Sequence, residues 1–196
     1  MRPCVLVAVL ACLAAAVCAA PLEIVANGQA RAVIVTPDKP FDVVAYAAQE
    51  LQYHLERATG ARLDIVSESA APEGKAAIAL GATKAAVEAG LDLAKLPVNG
   101  FIIRRAGERL FLAGDDSAGP AFGGYVNQTH AGTLFAVYEF LERQMGVRWL
   151  WPGELGEFIP KRDRVSVDAW DQTETPRLMF SMLRVSSKAK DGWASD

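Results

Sequence analysis

Glu154 and Glu157 are the residues of this sequence best suited to chemistry. Two nearby carboxyl groups can divide acid and base work, one protonating a leaving oxygen while the other activates water or attacks directly. Both stand in a Gly-Pro loop just after Trp149 and Trp151. Aromatic faces beside carboxylates are what sugar sites use. Nothing in the sequence sets the separation of the two carboxyl groups, and the tryptophans have a plainer reading as packing groups at the end of the preceding helix.

Other motifs invite chemistry and fail on inspection. The loop Gly114-Asp115-Asp116-Ser117-Ala118-Gly119-Pro120 follows a strand, yet it lacks the Gly-Lys-Ser/Thr ending that supplies a phosphate loop with its lysine and its magnesium-binding hydroxyl. Asp115 and Asp116 read as adjacent, solvated loop carboxylates rather than cation ligands. Leu80-Gly81-Ala82-Thr83 opens a short helix, but with a single glycine it reads as a plain strand-to-helix turn and not as an anion site. His54 and His130 are too few and too far apart for a histidine-rich metal site, and His54 reads as a partly exposed packing residue. No serine elbow and no His-Glu zinc motif occurs. These residues predict neither a cofactor nor a metal.

The first twenty residues point to export. Met1-Arg2-Pro3 is a basic start, Val5 to Val17 is an apolar run, and the small residues Cys18, Ala19 and Ala20 precede Pro21. That is the layout of a secretory signal cleaved near Ala19 or Ala20, leading to a secreted or periplasmic product. The run falls short of the roughly 20 residues a membrane span needs, and no stop-transfer cluster follows, so no stable span is expected. A lipoprotein is the lesser alternative: Leu10 fits poorly before a lipid-modified Cys12, and the apolar run continues past it. All three cysteines (Cys4, Cys12, Cys18) lie in the leader, so the mature chain has no disulfide and no cysteine-ligated zinc. It keeps 19 basic and 23 acidic residues, a formal charge of −4, scattered without a basic stripe. Nucleic acid is not an expected partner.

The elements that would position Glu154 and Glu157 alternate between strand and helix periodicity. Leu22–Ala26 and Ala32–Val35 flank Asn27-Gly28 and read as a hairpin. Val44, Ala47, Ala48, Leu51, Leu55 and Ala58 recur at helical spacing, with Asp42 as cap and Gly60 as stop. Leu63–Val66 and Ala77–Leu80 read as strands, and 83–89 as a short helix closed by Gly90. Phe101–Arg104 and Leu110–Ala113 read as a hairpin around Gly107-Glu108. Thr133–Gln144 is a second long helix, ended by Gly146. Arg164–Val167 and Thr173–Pro176 are extended, and Met179–Leu183 looks like the first strand of a new unit.

Three segments carry a resemblance: Asn99–Ile103, Leu110–Gly114 and Gly132–Glu142. In that order they resemble the accessory domain that precedes the catalytic barrel in α-glucuronidases and β-hexosaminidases. The run Gly146-Val147-Arg148-Trp149-Leu150-Trp151-Pro152-Gly153-Glu154-Leu155-Gly156-Glu157-Phe158-Ile159-Pro160 is similar to secreted bacterial proteins that join such a domain to a glycosidase-like barrel. The likeness implies an α+β two-layer fold, a mixed sheet with two long helices on one face. After the signal peptide at 1–20, it implies an accessory domain at 21–172 and a linker with the start of a barrel at 173–196. The expected function is then a non-catalytic N-terminal domain of a secreted glycoside hydrolase. It would brace its partner, the C-terminal barrel that carries the catalytic carboxylates, and line the rim of a site for oligo- or polysaccharide. Trp149, Trp151 and Glu154 are the expected substrate contacts, and the resemblance adds Arg184, whose spacing from Pro176 departs from the family pattern. Two alternatives remain open here: a free-standing polysaccharide-binding module using Trp149, Trp151 and Tyr125, and a small glycosidase using Glu154 and Glu157.

Overall fold

The structure, a computed structural model, describes residues 20–121, 129–151 and 153–175. The leader with Cys12, Tyr125, the run Met179–Leu183 and Arg184 lie outside the described residues. In chain order the elements are strands β1 (Leu22–Ala26), β2 (Gln29–Ala30) and β3 (Ala32–Thr36), helix α1 (Asp42–Thr59), and strands β4 (Ile65–Ser67) and β5 (Ala76–Leu80). Helix α2 (Lys84–Glu88), strands β6 (Phe101–Ala106) and β7 (Arg109–Gly114), and helix α3 (Gly132–Arg143) follow. Four short strands complete the set: β8 (Arg148–Trp149), β9 (Glu157–Phe158), β10 (Val165–Val167) and β11 (Asp171–Glu174).

Six strands form one mixed sheet in the order β11-β6-β7-β5-β3-β4. The pairs β4/β3, β3/β5 and β5/β7 are parallel; β7/β6 and β6/β11 are antiparallel. Side chains alternate across a strand, so each apolar run feeds two layers. Ile34, Ile78, Leu110 and Ile103 join the core that also holds Leu51 and Leu55 of α1 and Val137 and Leu141 of α3. Their neighbours Ala79, Phe111 and Ile102 point the other way, against Ala86 and Leu91 of the α2 region. The two long helices therefore cover one face of the mixed sheet, as the single apolar stripe on each requires. Among the described residues no helix is long and apolar enough to cross a membrane.

Local chemistry explains most boundaries. Gly60 closes α1 with a left-handed φ of 76°, its N–H donating to the Glu56 carbonyl. Asp42 does not cap α1; it lies in the first helical turn, where its charge suits the positive end of the helix, and extended Phe41 is the cap residue without a side-chain bond. Thr83 does cap α2, accepting from the Ala86 N–H at 3.2 Å, while Glu68 takes the Lys84 N–H at 2.7 Å. The turn after β5 thus has its helix N–H groups occupied by the protein itself.

The first hairpin differs from expectation. Asn27-Gly28 does turn the chain, but β1 pairs with the two-residue β2, and β3 leaves to enter the six-stranded sheet. β1 instead carries β10 on its other edge, forming a second small sheet that adds Leu22, Ile24, Val165 and Val167 to the main core. The apolar run of 32–36 is buried on both faces, which a central strand satisfies and a surface hairpin does not.

Lys161 and Arg162 lock both long helices at their C-termini. Lys161 Nζ donates to the Arg57 carbonyl at 2.5 Å, and the Arg162 guanidinium donates to the Gln144 and Met145 carbonyls at 3.0 and 2.5 Å. Cations there satisfy unpaired carbonyls and the negative helix end. Arg162→Ala should lower the free energy of unfolding by about 2 kcal/mol in urea denaturation, and Arg162→Lys should restore less than half, because lysine lacks the planar fork.

Candidate functional site

The hairpin β8–β9 brings the predicted residues together. Trp149 pairs with Glu157 and Arg148 with Phe158. The chain between them closes tightly, with Leu150 N–H on the Gly156 carbonyl at 2.7 Å, and a Cβ at Gly156 would collide with the Trp151 backbone. Tyr53, Trp149, Leu150, Trp151, Gly153, Glu154 and Glu157 line a cleft of about 540 Å³. Three of the four expected substrate contacts, Trp149, Trp151 and Glu154, share this cleft with Glu157.

The two tryptophans have different situations. Trp149 stands edge-on to His54 and to Tyr138, with centroids 5.4 and 5.2 Å apart, so its ring seats the hairpin on α1 and α3. Trp151 is 60% exposed at the cleft wall. The carboxylates differ as well. Glu154 is exposed, in a short turn of 3-10 helix. Glu157 is largely withdrawn: Oε1 lies 3.0 Å from His54 Nε2, and Oε2 accepts from the Tyr53 hydroxyl at 3.1 Å. With both oxygens engaged by α1, Glu157 works as an anchor for the hairpin.

His54 departs from the sequence expectation. It is 1% exposed rather than partly exposed, and it has partners on both nitrogens. Nδ1 lies 2.8 Å from the Glu50 carbonyl, one turn back along α1, so that nitrogen donates. Nε2 then shares a proton with Glu157. Sequence offers little to reveal this pair, because 103 positions separate the partners. Behind it the Glu50 carboxylate accepts from Tyr46 at 2.7 Å and from Tyr138 at 3.3 Å. Burial, reinforced by that bond to Glu50, pushes the Tyr46 hydroxyl up to about 12, and burial raises Tyr138 as well. Both phenols therefore remain donors. Tyr53 is raised in the same sense, first by burial and then by Glu157.

Asp115 and Asp116 are partly buried and hydrogen-bonded rather than free loop carboxylates. Asp116 Oδ1 accepts from the Thr133 N–H at 2.9 Å and Oδ2 from the Thr133 hydroxyl at 2.5 Å, so it caps α3 from a distant loop. Asp115 pairs with His130 Nδ1 at 2.7 Å and accepts from the Asn99 N–H at 3.2 Å. The loop folds back on the helix start, and that burial was not visible in a run of polar residues. Burial pushes the Asp116 carboxyl up to about 6, against the opposing pull of its Thr133 bonds. A carboxyl whose folded pKa exceeds its unfolded value of 3.8 binds its proton more tightly when folded. Its contribution to stability is then lost as pH rises from about 4 to about 6. Lowering the pH from 7 to 5 should raise stability through this group by about 1 kcal/mol. Thermal melts should show that gain in the parent chain and lose it in Asp116→Asn.

No family model and no curated protein matches this sequence. Among solved structures the chain is similar to a family GH115 4-O-methyl-α-glucuronidase with specificity for decorated arabinogalactans, at 18% identity and a TM-score of 0.56. The similarity covers 79% of this chain and 18% of that one, so the chain spans less than a fifth of that enzyme's length. At this identity the likeness is one of fold: a two-layer α+β unit also found within a glycoside hydrolase.

Proposed function

We propose that this chain is a non-catalytic N-terminal domain of a secreted carbohydrate-active enzyme, bracing a C-terminal catalytic barrel and contributing Trp151 and Glu154 to the rim of its sugar site. The observation that carries this reading is the fold shared with one fifth of a much larger glucuronidase. The surface supports it. Leu150, Leu155 and Phe158 are exposed on the same hairpin, and an apolar group of two leucines and a phenylalanine suits a neighbouring polypeptide more than a sugar. Glu157 is committed to His54 and Tyr53, which favours an anchoring role over bond breaking. Residues 21–172 serve as the accessory domain and 173–196 as the lead into the barrel, with Arg184 on the barrel side. The leader at 1–20 directs export.

The test has two arms. The reading frame downstream of Asp196 should encode a barrel with its own carboxylate pair. The purified chain alone should release no sugar from aryl glycosides or from uronic-acid-bearing oligosaccharides. Turnover abolished by Glu154→Gln would instead make this a small glycosidase. A stop codon after Asp196 together with tight glycan binding would make it a free-standing binding module.

A further inference from the structure

We infer that, on the export reading above, the leader is cut at the Ala19–Ala20 bond and the new terminal residue, Ala20, is held by Arg105. An export peptidase adds water across that bond, leaving a carboxylate on Ala19 and a free amine on Ala20. Such peptidases act beyond the apolar run and need a small side chain just before the cut. The apolar run reaches Val17, so the bonds open to cutting follow Cys18, Ala19 and Ala20. The bond after Ala20 leads into Pro21, whose ring nitrogen has no N–H and whose φ is fixed. A peptidase that grips an extended backbone by hydrogen bonds loses a donor there. A cut after Cys18 would set a thiol in the pocket where Ala19 sets a methyl group.

The residue kept by this cut has a use in the fold. Strand β1 begins at Leu22, which is buried and pairs with Val167. Ala20 and Pro21 precede the strand and are exposed, yet the Ala20 carbonyl accepts from Arg105 Nη2 at 2.5 Å. The same guanidinium donates to the Val167 carbonyl from Nη1 and to the Gly107 carbonyl from Nε, both at 3.3 Å. One planar fork thus joins the lead into β1, the end of β10 and the turn between β6 and β7. A chain starting at Pro21 would lack the Ala20 acceptor and set a cationic ring amine beside Arg105. A chain starting at Ala20 keeps the acceptor and carries its terminal charge one residue further out.

The experiment expresses the full chain with its leader in an exporting bacterial host and sequences the N-terminus of the product recovered from the periplasm. Ala20-Pro21-Leu22-Glu23-Ile24 is the expected start. A start at Ala19, at Pro21 or within the apolar run overturns the bond assignment and leaves the export reading standing, as does a lipid on Cys12. An uncut chain overturns both. A second measurement tests the hold of Arg105. Chains beginning at Ala20 and at Pro21, each made behind a removable initiator methionine, are compared in thermal melts. The shorter chain should melt about 3 °C lower, the shift that loss of one charge-assisted hydrogen bond brings at this size. In the Arg105→Ala background the two should melt together. Equal melting in the parent background, or an undiminished gap in Arg105→Ala, overturns the hold on Ala20 whatever the cut.

Discussion

Gly114→Ala should destabilise the chain by about 3 kcal/mol or more, and express largely as insoluble protein. Three glycines meet where β7 ends and α3 begins. A Cβ on Gly114 would stand 2.5 Å from the Cα of Gly132, and one on Gly132 would stand 2.5 Å from the Asp115 nitrogen. A third glycine, Gly100, would bring a Cβ to 2.8 Å from Pro97 Cδ. The obstructing atoms are mostly backbone, which cannot rotate aside as a side chain can. The same crossing carries bonds from Asp115 N–H to the Gly100 carbonyl and from Gly132 N–H to the Asp115 carbonyl, both at 2.9 Å. Gly114 N–H donates to the Thr133 hydroxyl at 3.1 Å, tying the strand end to the helix start. A methyl group therefore breaks packing and hydrogen bonds together, which places the cost at the upper end of overpacking effects. For a chain of this size the melting temperature should fall by about 10 °C. Gly90→Ala serves as the control: its Cβ would meet open space, and it carries only the strain of its φ of 75°. A loss of less than 1 kcal/mol at Gly114 would mean that the crossing is looser than described.

The second large effect concerns the pair that pins the aromatic hairpin. His54→Ala should lower stability by about 3 kcal/mol and shift tryptophan emission to the red. It removes a ring that is 1% exposed, two hydrogen bonds and the edge contacts to Trp149 and Tyr53. It also leaves Glu157 without its main partner, and breaking one side of a buried pair is the costly way to lose it. Glu157→Gln keeps an acceptor for Nε2 and should cost only about 1 kcal/mol. The double substitution His54→Ala/Glu157→Ala should cost less than the two single ones added, by about 1–2 kcal/mol, because each single change strands the other group. Strict additivity in urea denaturation would show that the two side chains do not work as a pair.

Much of the architecture is legible in the residues. The apolar stripe from Val44 to Ala58 places α1, Gly60 stops it, and Thr133–Gln144 lies within one residue of α3 at each end. The runs around Ile78, Ile103 and Leu112 are strands because alternate positions feed two apolar layers. The resemblance to accessory domains of glycoside hydrolases is carried by three short segments with one glycine each, and Gly100, Gly114 and Gly132 turn out to be the ones at the β7–α3 crossing. The clustering of Trp149, Trp151, Glu154 and Glu157 was also within reach, since all four lie in one nine-residue stretch.

Other features belong to the fold alone. The role of β3 is decided by its neighbours β4 and β5, since a turn sequence such as Asn27-Gly28 dictates a reversal but not how far the returning strand stays paired. Asp116 looks like any loop aspartate until the loop brings it over the N–H groups of α3, and burial then changes its titration. The same holds for His54 and Glu157, whose pairing separates a withdrawn, anchoring Glu157 from an exposed Glu154. Periodicity and capping are local, reaching a few residues along the chain, so sequence by itself determined the helices, the strands and their apolar faces. Hydrogen bonds between groups far apart in the chain depend on how the layers are stacked, and only the tertiary structure decided those.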